Sequence, residues 1–229
     1  MASSNKRVVK KRRIKYKNIF VFLFSMIFLV IFVYCVFNIK TKNIFIEGNM
    51  YLSDQNIIDD ADLKDYPTLL STNSRKIKSK LEDNIYVKKV DVTRTNLFQT
   101  INIKVEENKP VLFYEYDNIY LLENGEKVEK KYDVPILINQ TPEDKLKKLT
   151  SKLGNLDDDI IGRISEIRYF PTEADEDLFY LTMVDGNYIY INFNSFDKLD
   201  YYVEIVRNLN NKKGIIHLDS GNYLELFKD

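Results

Sequence analysis

The sequence is poor in the residues that build most active sites. It contains one cysteine, one histidine, no tryptophan and only seven glycines among 229 residues. The single cysteine, Cys35, lies in an apolar run, so no intrachain disulfide can form and a disulfide scaffold is excluded. No Gly-rich phosphate loop is present, and His217 stands alone in an alternating strand pattern, typical of a surface or edge position. We therefore expect no catalytic residue, no metal site and no cofactor.

Two other kinds of site were considered among the acidic and hydroxyl residues. Asp157, Asp158 and Asp159 suggest a cation site, but three adjacent side chains do not converge on one ion, so we interpret them as a solvated helix start. The run 175–177 after Pro171 has the pattern of an exposed acidic loop. A Ser/Lys dyad, as in membrane-anchored peptidases, stays open as an alternative because serine and lysine are both abundant.

The longest apolar run, Ile19–Phe37, has nineteen residues and no charge. As a helix it would extend roughly 28 Å, close to the thickness of a bilayer's hydrocarbon core. A helix that packs on the core of a soluble protein would have a polar face toward the solvent, and this run has none. Tyr34 near its end fits the aromatic enrichment at a bilayer interface. The run predicts a single transmembrane helix over residues 19–39.

The charges flanking this run are strongly asymmetric. Eight basic and no acidic residues precede it, whereas 26 of the 34 basic residues and all 34 acidic residues follow it. The positive-inside rule therefore predicts that residues 1–18 form a basic cytoplasmic tail and that the chain crosses the plasma membrane once, in type II orientation. A cleaved signal peptide is the alternative, but the run is long for one and no small-residue cleavage site follows it.

Residues 40–229 form the predicted exterior, which is long enough for one large or two small domains. Their formal charge of −8 argues against nucleic acid as a partner of the exterior. The basic tail needs no nucleic acid either, because membrane topology and attraction to anionic lipids both account for it.

The first half of the exterior alternates between strand and helix patterns. Turn and capping signals at Gly48-Asn49, Ser53 and Ser74 separate them, with Ser53 and Ser74 as expected helix N-caps. The strand candidates are Asn43–Glu47, Tyr86–Arg94 and Thr100–Glu106. The order strand, helix, helix, strand, strand predicts two helices that cover one face of a three-stranded sheet.

This unit, directly after a membrane helix, resembles the POTRA domain of the DivIB/FtsQ family of bacterial cell-division proteins. Residues 44–49 are similar to the family's opening strand and Gly-Asn turn, residues 86–94 to its second strand, and residues 100–111 to its third strand and Pro-Val exit. The turn 95–99 departs from the family, since it lacks the usual proline and has one extra residue.

The second half of the exterior is rich in strand patterns. One helical pattern runs from Thr141, as N-cap with Pro142 at the first helical position, to Gly154, and another covers Ser195–Leu209. Strands are predicted at Val111–Tyr116, Ile119–Leu122, Ile164–Tyr169, Phe179–Val184, Tyr188–Phe193, Ile215–Asp219 and Tyr223–Phe227. Residues 132–137 are similar to a proline-containing stretch of the family. The order resembles the family's β-rich second domain.

The expected fold class is α+β. It comprises a single N-terminal transmembrane helix, a β-α-α-β-β POTRA-like domain over residues 40–110, and a second mixed, β-rich domain over residues 111–229. The family resemblance implies a non-enzymatic bitopic protein of the divisome that is enriched at the division septum. It would dock partners of the FtsL and DivIC/FtsB type and so help to recruit or regulate the septal peptidoglycan transpeptidase and glycosyltransferase.

The last strand pattern is the best candidate for a docking edge. Strand edges expose backbone N–H and C=O groups that can accept a strand from a partner. The resemblance implies docking in this region, and the expected interface residues are Tyr223, Leu224, Leu226 and Phe227. Ordinary core packing of alternate residues in this strand is the competing interpretation. An extracytoplasmic ligand-binding or sensor module on a membrane anchor is the alternative function.

Overall fold

A computed structural model describes residues 16–69, 71, 73–209 and 212–227. Its first element is the helix α1, Tyr16–Phe37, in which no residue is buried within the protein. Among the described residues, α1 is the one helix long and apolar enough to cross a membrane. A helix that is apolar on every face needs an apolar surrounding, and lipid supplies it. All basic tail residues except Lys17 lie outside the described residues.

A three-stranded sheet with two helices follows α1. Its strands have the order β1-β3-β2, with β1 parallel to β3 and β2 antiparallel to it. The helices cover one face and close a core that includes Ile57, Ile77, Leu81, Val90 and Ile103. The predicted β-α-α-β-β order is confirmed, with β1 at Asn43–Glu47, α2 at Asp54–Asp60, α3 at Ser74–Glu82, β2 at Val87–Thr95 and β3 at Thr100–Glu107.

The two helices of this unit begin at hydrogen-bonded caps. Ser53 caps α2 in a reciprocal capping box with Asn56, as its position predicts. For α3 the prediction was wrong by one residue, because Asn73 is the N-cap and Ser74 is the first helical residue. The Asn73 side chain accepts the N–H of Lys76 at 2.8 Å. Asparagine is as good a cap as serine, so the local pattern does not distinguish the two positions.

A nine-stranded sheet forms the rest of the protein, with the order β12-β11-β10-β9-β8-β7-β4-β5-β6. Parallel pairs join β4 to β7, β7 to β8 and β10 to β11, and the other neighbours are antiparallel. The strands are β4 (Pro110–Tyr114), β5 (Ile119–Leu122), β6 (Lys127–Val128), β7 (Ile136–Leu137), β8 (Ile164–Tyr169), β9 (Leu178–Met183), β10 (Tyr188–Asn192), β11 (Gly214–His217) and β12 (Tyr223–Leu226). This mixed, β-rich unit is the one that the sequence predicts.

Helices cover one face of the nine-stranded sheet and bury its second core. They are α4 (Glu143–Gly154), the short α5 (Asp158–Ile161), a 3-10 helix (Phe196–Tyr201) and α6 (Tyr202–Asn208). The region predicted as one helix over Ser195–Leu209 is therefore divided. The 3-10 segment buries Phe196 and Leu199, and the α-helical segment buries Tyr202. Tyr202 donates its hydroxyl to the carboxylate of Asp185 at 2.8 Å.

The ends of α4 differ from those predicted. Pro142 occupies the N-cap position without a side-chain hydrogen bond, and Asn155 follows Gly154 as the C-cap. Thr141 is not the cap, because its N–H donates to the hydroxyl of Tyr114 at 3.1 Å and its own hydroxyl turns to the Asn139 carbonyl. The hydroxyl that would cap the helix is therefore bonded two residues back along the chain, and the N–H is held by a residue distant in sequence.

The acidic run before β8 starts a helix, as the sequence predicts. Asp157 is the N-cap of α5, and Asp158 and Asp159 occupy its first turn. Lys109 donates to Asp158 at 2.7 Å, and Arg163 forms an ion pair with Asp159 at 3.1 Å. These carboxylates are therefore paired with cations of the protein itself.

Polar contacts join the two sheets at the end of the larger sheet that carries β5 and β6. Lys88 of β2 lies 2.9 Å from the carboxylate of Glu123, and this hydrogen bond raises the lysine pKa. The hydroxyl of Tyr132 donates to that of Tyr86 at 3.0 Å, and burial raises the pKa of Tyr132. These contacts place the three-stranded sheet beside β5 and β6, so that β12 is the far edge of the larger sheet.

Candidate functional site

The candidate site is the edge strand β12 and the groove beside it. The hairpin from β11 to β12 turns at residues 218–222, where Asn222 takes a left-handed backbone with φ of 54°. Lys198 holds this turn from the 3-10 helix, since its amine donates to the Asn222 side chain at 2.7 Å and to the Leu218 carbonyl at 3.3 Å. Asparagine tolerates the left-handed region better than most residues, which suits it to this position.

Gly214 lets β12 approach β11 closely. A Cβ atom at this position would lie 2.3 Å from the Glu225 carbonyl oxygen and 3.1 Å from the Leu226 Cα. Its N–H donates to the side chain of Asn187 at 3.1 Å, which fixes the start of β11 against the β9–β10 turn. Any other residue at position 214 would push the two strands apart, so the glycine is required by packing.

The backbone ladder leaves one side of β12 open. The strand pairs antiparallel with β11, with Gly214 opposite Leu226 and Ile216 opposite Leu224. The N–H of Phe227 donates to the Lys213 carbonyl at 3.0 Å, which marks that pair as hydrogen-bonded. Because hydrogen-bonded pairs alternate along an antiparallel ladder, Leu224 and Leu226 direct their N–H and C=O groups away from β11. Within the described residues, β12 has no strand on that side.

Aromatic side chains cover the outer face of this edge. Tyr223 stacks on His217 with ring centroids 4.2 Å apart, and His217 stacks in turn on Tyr190 at 5.1 Å. Phe227 meets Tyr188 edge to face at 5.9 Å. His217 was expected at a surface or edge, but it lies on the second strand from the edge, half-buried between two tyrosines. The stack gives the last strand a rigid outer face.

A groove lies on the other face of the same edge. Leu224 packs against the main core and lines this groove, whose volume is about 310 Å³. The remaining lining comes from Lys198, Tyr201, Ile205, Ile216, Leu218, Asn222 and Tyr223. Tyr201 and Ile205 were missed in the sequence. In a helix over residues 195–209 they lie off the apolar side, which consists of Phe196, Leu199, Val203 and Val206. An apolar residue off that side is the signal that could have revealed them.

The predicted interface residues are thus brought together but divided between two faces. Tyr223, Leu226 and Phe227 are exposed by 53%, 41% and 46%. Leu224 is half-buried and packs inward, as the competing interpretation of core packing required. The edge therefore offers three exposed apolar side chains, a row of backbone groups and an apolar groove. Such an arrangement can accept an extended segment by strand addition.

Comparisons with known proteins agree on one family. A family model described as "POTRA domain, FtsQ-type" matches residues 39–108. The cell division protein DivIB of Bacillus subtilis is 34% identical over 197 residues, which cover 82% of this chain and 74% of that protein. DivIB of Geobacillus kaustophilus is 28% identical over 211 residues, which cover 86% and 80%. The chain belongs to the DivIB family.

Among solved structures, the major extracytoplasmic domain of DivIB from Geobacillus stearothermophilus is 29% identical. It overlaps 46% of this chain and 96% of its own, at a TM-score of 0.38. Membership of the DivIB family makes the chain a membrane protein of bacterial cell division with a POTRA domain of the FtsQ type. The family resemblance read from residues 44–49, 86–94 and 100–111 is confirmed.

Proposed function

We propose that this DivIB-family protein is a non-enzymatic scaffold of the divisome. Its basic tail faces the cytoplasm, and its domains, 40–110 and 111–229, lie outside the membrane. The outer domains dock bitopic proteins of the FtsL and DivIC/FtsB type and so help to recruit or regulate septal peptidoglycan synthesis. The protein is enriched at the division septum.

The open edge of β12 is the observation that carries this proposal. Leu224 and Leu226 point free backbone groups outward, and exposed Tyr223 and Phe227 flank them. A partner strand on this edge would extend the sheet and place its alternate side chains over the groove and the aromatic stack. Since β12 is the edge farthest from the three-stranded sheet, a partner here would not collide with the POTRA unit.

A proline in place of Leu226 tests strand addition directly. Leu226→Pro removes an outward N–H but leaves the hydrogen bonds between β12 and β11 in place, and proline is tolerated on edge strands. Leu226→Ala is the matched control, because it removes the same side chain and keeps the N–H. We expect full-length Leu226→Pro to lose capture of FtsL-type and DivIC-type partners, whereas Leu226→Ala keeps most of it.

Side-chain variants show which face of β12 contacts the partner. If the partner lies along the groove, Leu224→Ala weakens capture more than Phe227→Ala, and the reverse order places it on the aromatic face. If Leu226→Pro captures the partners as well as the unmodified chain does, β12 is not the docking strand. If the unmodified chain captures neither kind of partner, the proposed scaffold function is wrong.

One cavity is too polar for the sensor alternative, and the apolar groove beside β12 lies along an open strand edge, which suits a docked segment. The exterior's charge of −8 does not suit nucleic acid. The polar cavity, of about 530 Å³, is lined largely by polar and charged side chains, among them Asp117, Gln140, Glu143 and Lys147. A ligand-binding module would need an apolar pocket with a few converging polar groups. A small molecule that raises the melting temperature in a thermal-shift screen would favour the sensor function.

A further inference from the structure

The connection between α1 and the three-stranded sheet is short and tied down. The last residue of α1 is Phe37, and Ile39 already accepts the N–H of Leu69 at 2.9 Å. Thr41 donates both its N–H, at 3.2 Å, and its hydroxyl, at 2.9 Å, to the Pro67 carbonyl. The POTRA unit is therefore fixed to the end of the membrane helix by hydrogen bonds, without a free tether.

The β2–β3 turn, residues 96–99, lies at this same end of the unit. Because β1 is parallel to β3, the start of β3 lies beside the start of β1. The Gln99 carbonyl accepts the N–H of Lys42 at 2.7 Å and that of Asn43 at 3.3 Å. Residues 38–42 span at most roughly 17 Å even when fully extended. The turn is therefore held close to the level at which α1 leaves the bilayer.

The tip of this turn presents apolar side chains to its surroundings. Leu97 is 83% exposed and Phe98 is 48% exposed. Asn96, Leu97 and Phe98 all have positive φ angles, of 49°, 53° and 69°, and this region is unfavourable for residues with a bulky side chain. Arg94 donates to the Phe98 carbonyl at 3.3 Å and so holds the tip in this form. The strained backbone keeps two apolar residues outside the core.

The surroundings of the tip have the composition of a membrane interface. Tyr66, next to the Pro67 that anchors the connection, is 53% exposed. Lys40 and Lys42 are exposed in the connection itself. Tyrosine is enriched at the level of lipid headgroups, and lysines there attract anionic lipids. Apolar, aromatic and basic side chains thus lie together at one end of the unit.

We propose that the β2–β3 turn inserts Leu97 and Phe98 into the lipid interface at the carboxyl end of α1. The occupant is lipid because the turn is fixed within a few residues of a helix that ends at the bilayer surface. Insertion would remove two exposed apolar side chains from water. It would also give the POTRA unit a second membrane contact and so fix its tilt.

Site-directed spin labelling of the full chain in lipid vesicles tests this inference. In a Cys35→Ser background, single cysteines replace Leu97, Phe98 or Met50 and carry a nitroxide. Met50 is the matched control, since it is an apolar residue with 80% exposure at the opposite end of β1. Vesicles of phosphatidylcholine and phosphatidylglycerol contain no protein partner. Collision rates with oxygen and with a water-soluble nickel chelate report the depth of each label.

We expect a several-fold higher ratio of oxygen to nickel collisions at positions 97 and 98 than at position 50. Adding Leu97→Asp to the chain labelled at position 98 should lower that ratio toward the Met50 value. Equal ratios at all three positions would overturn the inference. Circular dichroism of each labelled chain establishes that it is folded. The vesicles hold no division protein, so the result is independent of docking at β12.

Discussion

At the scale of single residues, Glu107 joins the end of β3 to the loop between β1 and α2. Its carboxylate accepts the N–H groups of Met50 and Tyr51 at 2.7 Å each and that of Leu52 at 3.0 Å. Hydrogen bonds to a charged acceptor are the stronger kind, so Glu107→Gln should lower the free energy of unfolding by about 1–3 kcal/mol. Urea unfolding of the full chain in detergent micelles measures this.

Glu106→Gln is the control for that change. Glu106 is the preceding residue of β3, its side chain is 57% exposed, and within the described part of the chain it forms an ion pair with Lys88 alone, at 3.3 Å. Because exposed ion pairs contribute little, its loss should stay within about 0.5 kcal/mol. An equal effect of the two substitutions would contradict the special role of the Glu107 carboxylate.

Asp177 is the residue from which a pH dependence follows. A hydrogen bond from Lys145 lowers the pKa of the Asp177 carboxyl, and Lys148 lies 3.7 Å away. A lowered carboxyl pKa adds stability at pH values above the ordinary pKa of about 3.9, and this stability is lost as the pH falls through the lowered value. Asp177→Asn should therefore be less stable than the unmodified chain at pH 7, and the difference should shrink as the pH falls through the lowered pKa of Asp177.

The measurement is the midpoint of urea unfolding across this pH range. Glu173→Gln, in the same loop, is the control, and Glu173 is exposed. Its midpoint should follow that of the unmodified chain at every pH. A difference for Asp177→Asn that persists unchanged into acid would show that the carboxylate's charge is not what stabilises the loop.

At the scale of elements, the pairing of β12 with β11 depends on Gly214. Gly214→Ala places a Cβ atom 2.3 Å from the Glu225 carbonyl, so the strands must separate. We expect a loss of about 1–3 kcal/mol and faster hydrogen exchange in residues 223–227. Gly221→Ala is the control, because its Cβ atom would lie in ordinary contact, 3.5 Å from the Tyr223 ring. If hydrogen exchange in residues 223–227 is unchanged in Gly214→Ala, the pairing of β12 with β11 does not depend on the glycine.

The boundaries of the elements show where sequence reasoning loses precision. Strand alternation in residues 100–106 predicts β3 within one residue, because alternate residues of that strand are buried. The family resemblance places β8 at residues 164–169, as observed. The predicted cap of α4 was wrong because the Thr141 hydroxyl donates to the Asn139 carbonyl, while Tyr114, 27 residues away, holds the Thr141 N–H. The start of the 195–209 helix became a 3-10 turn that places Phe196 and Leu199 in the core. Contacts between distant residues decide such details.

At the scale of the whole molecule, the proposed orientation predicts which parts an outside reagent reaches. In cells that carry Cys35→Ser, a membrane-impermeant maleimide should label Met50→Cys directly and Ser4→Cys only after permeabilisation. The exposed side chain of Met50 makes the first reaction fast. Labelling of Ser4→Cys in intact cells would reverse the topology and remove the basis for docking outside the membrane.

The location of the protein in the cell distinguishes the scaffold function from the alternative sensor function. A fluorescent fusion to the basic tail should concentrate at mid-cell in dividing bacteria, as a docked division protein would. The Leu226→Pro fusion should lose part of that enrichment if β12 is the docking strand. A uniform envelope signal from the unmodified chain would favour the sensor.

The amino-acid sequence was sufficient to predict the membrane helix, the order of most elements and the family. These follow from local patterns: an uncharged run of bilayer length, alternation in strands, and turn residues at fixed positions. The sequence suggested the last strand as an edge, and the pairing of nine strands establishes that β12 is one. Only the folded chain shows that Leu224 turns inward while its neighbours stay exposed. The tertiary structure also placed the turn that carries Leu97 and Phe98 beside the residues that link α1 to β1. Edges and faces arise from pairing between strands far apart in the chain, and local patterns carry no record of which strand lies last.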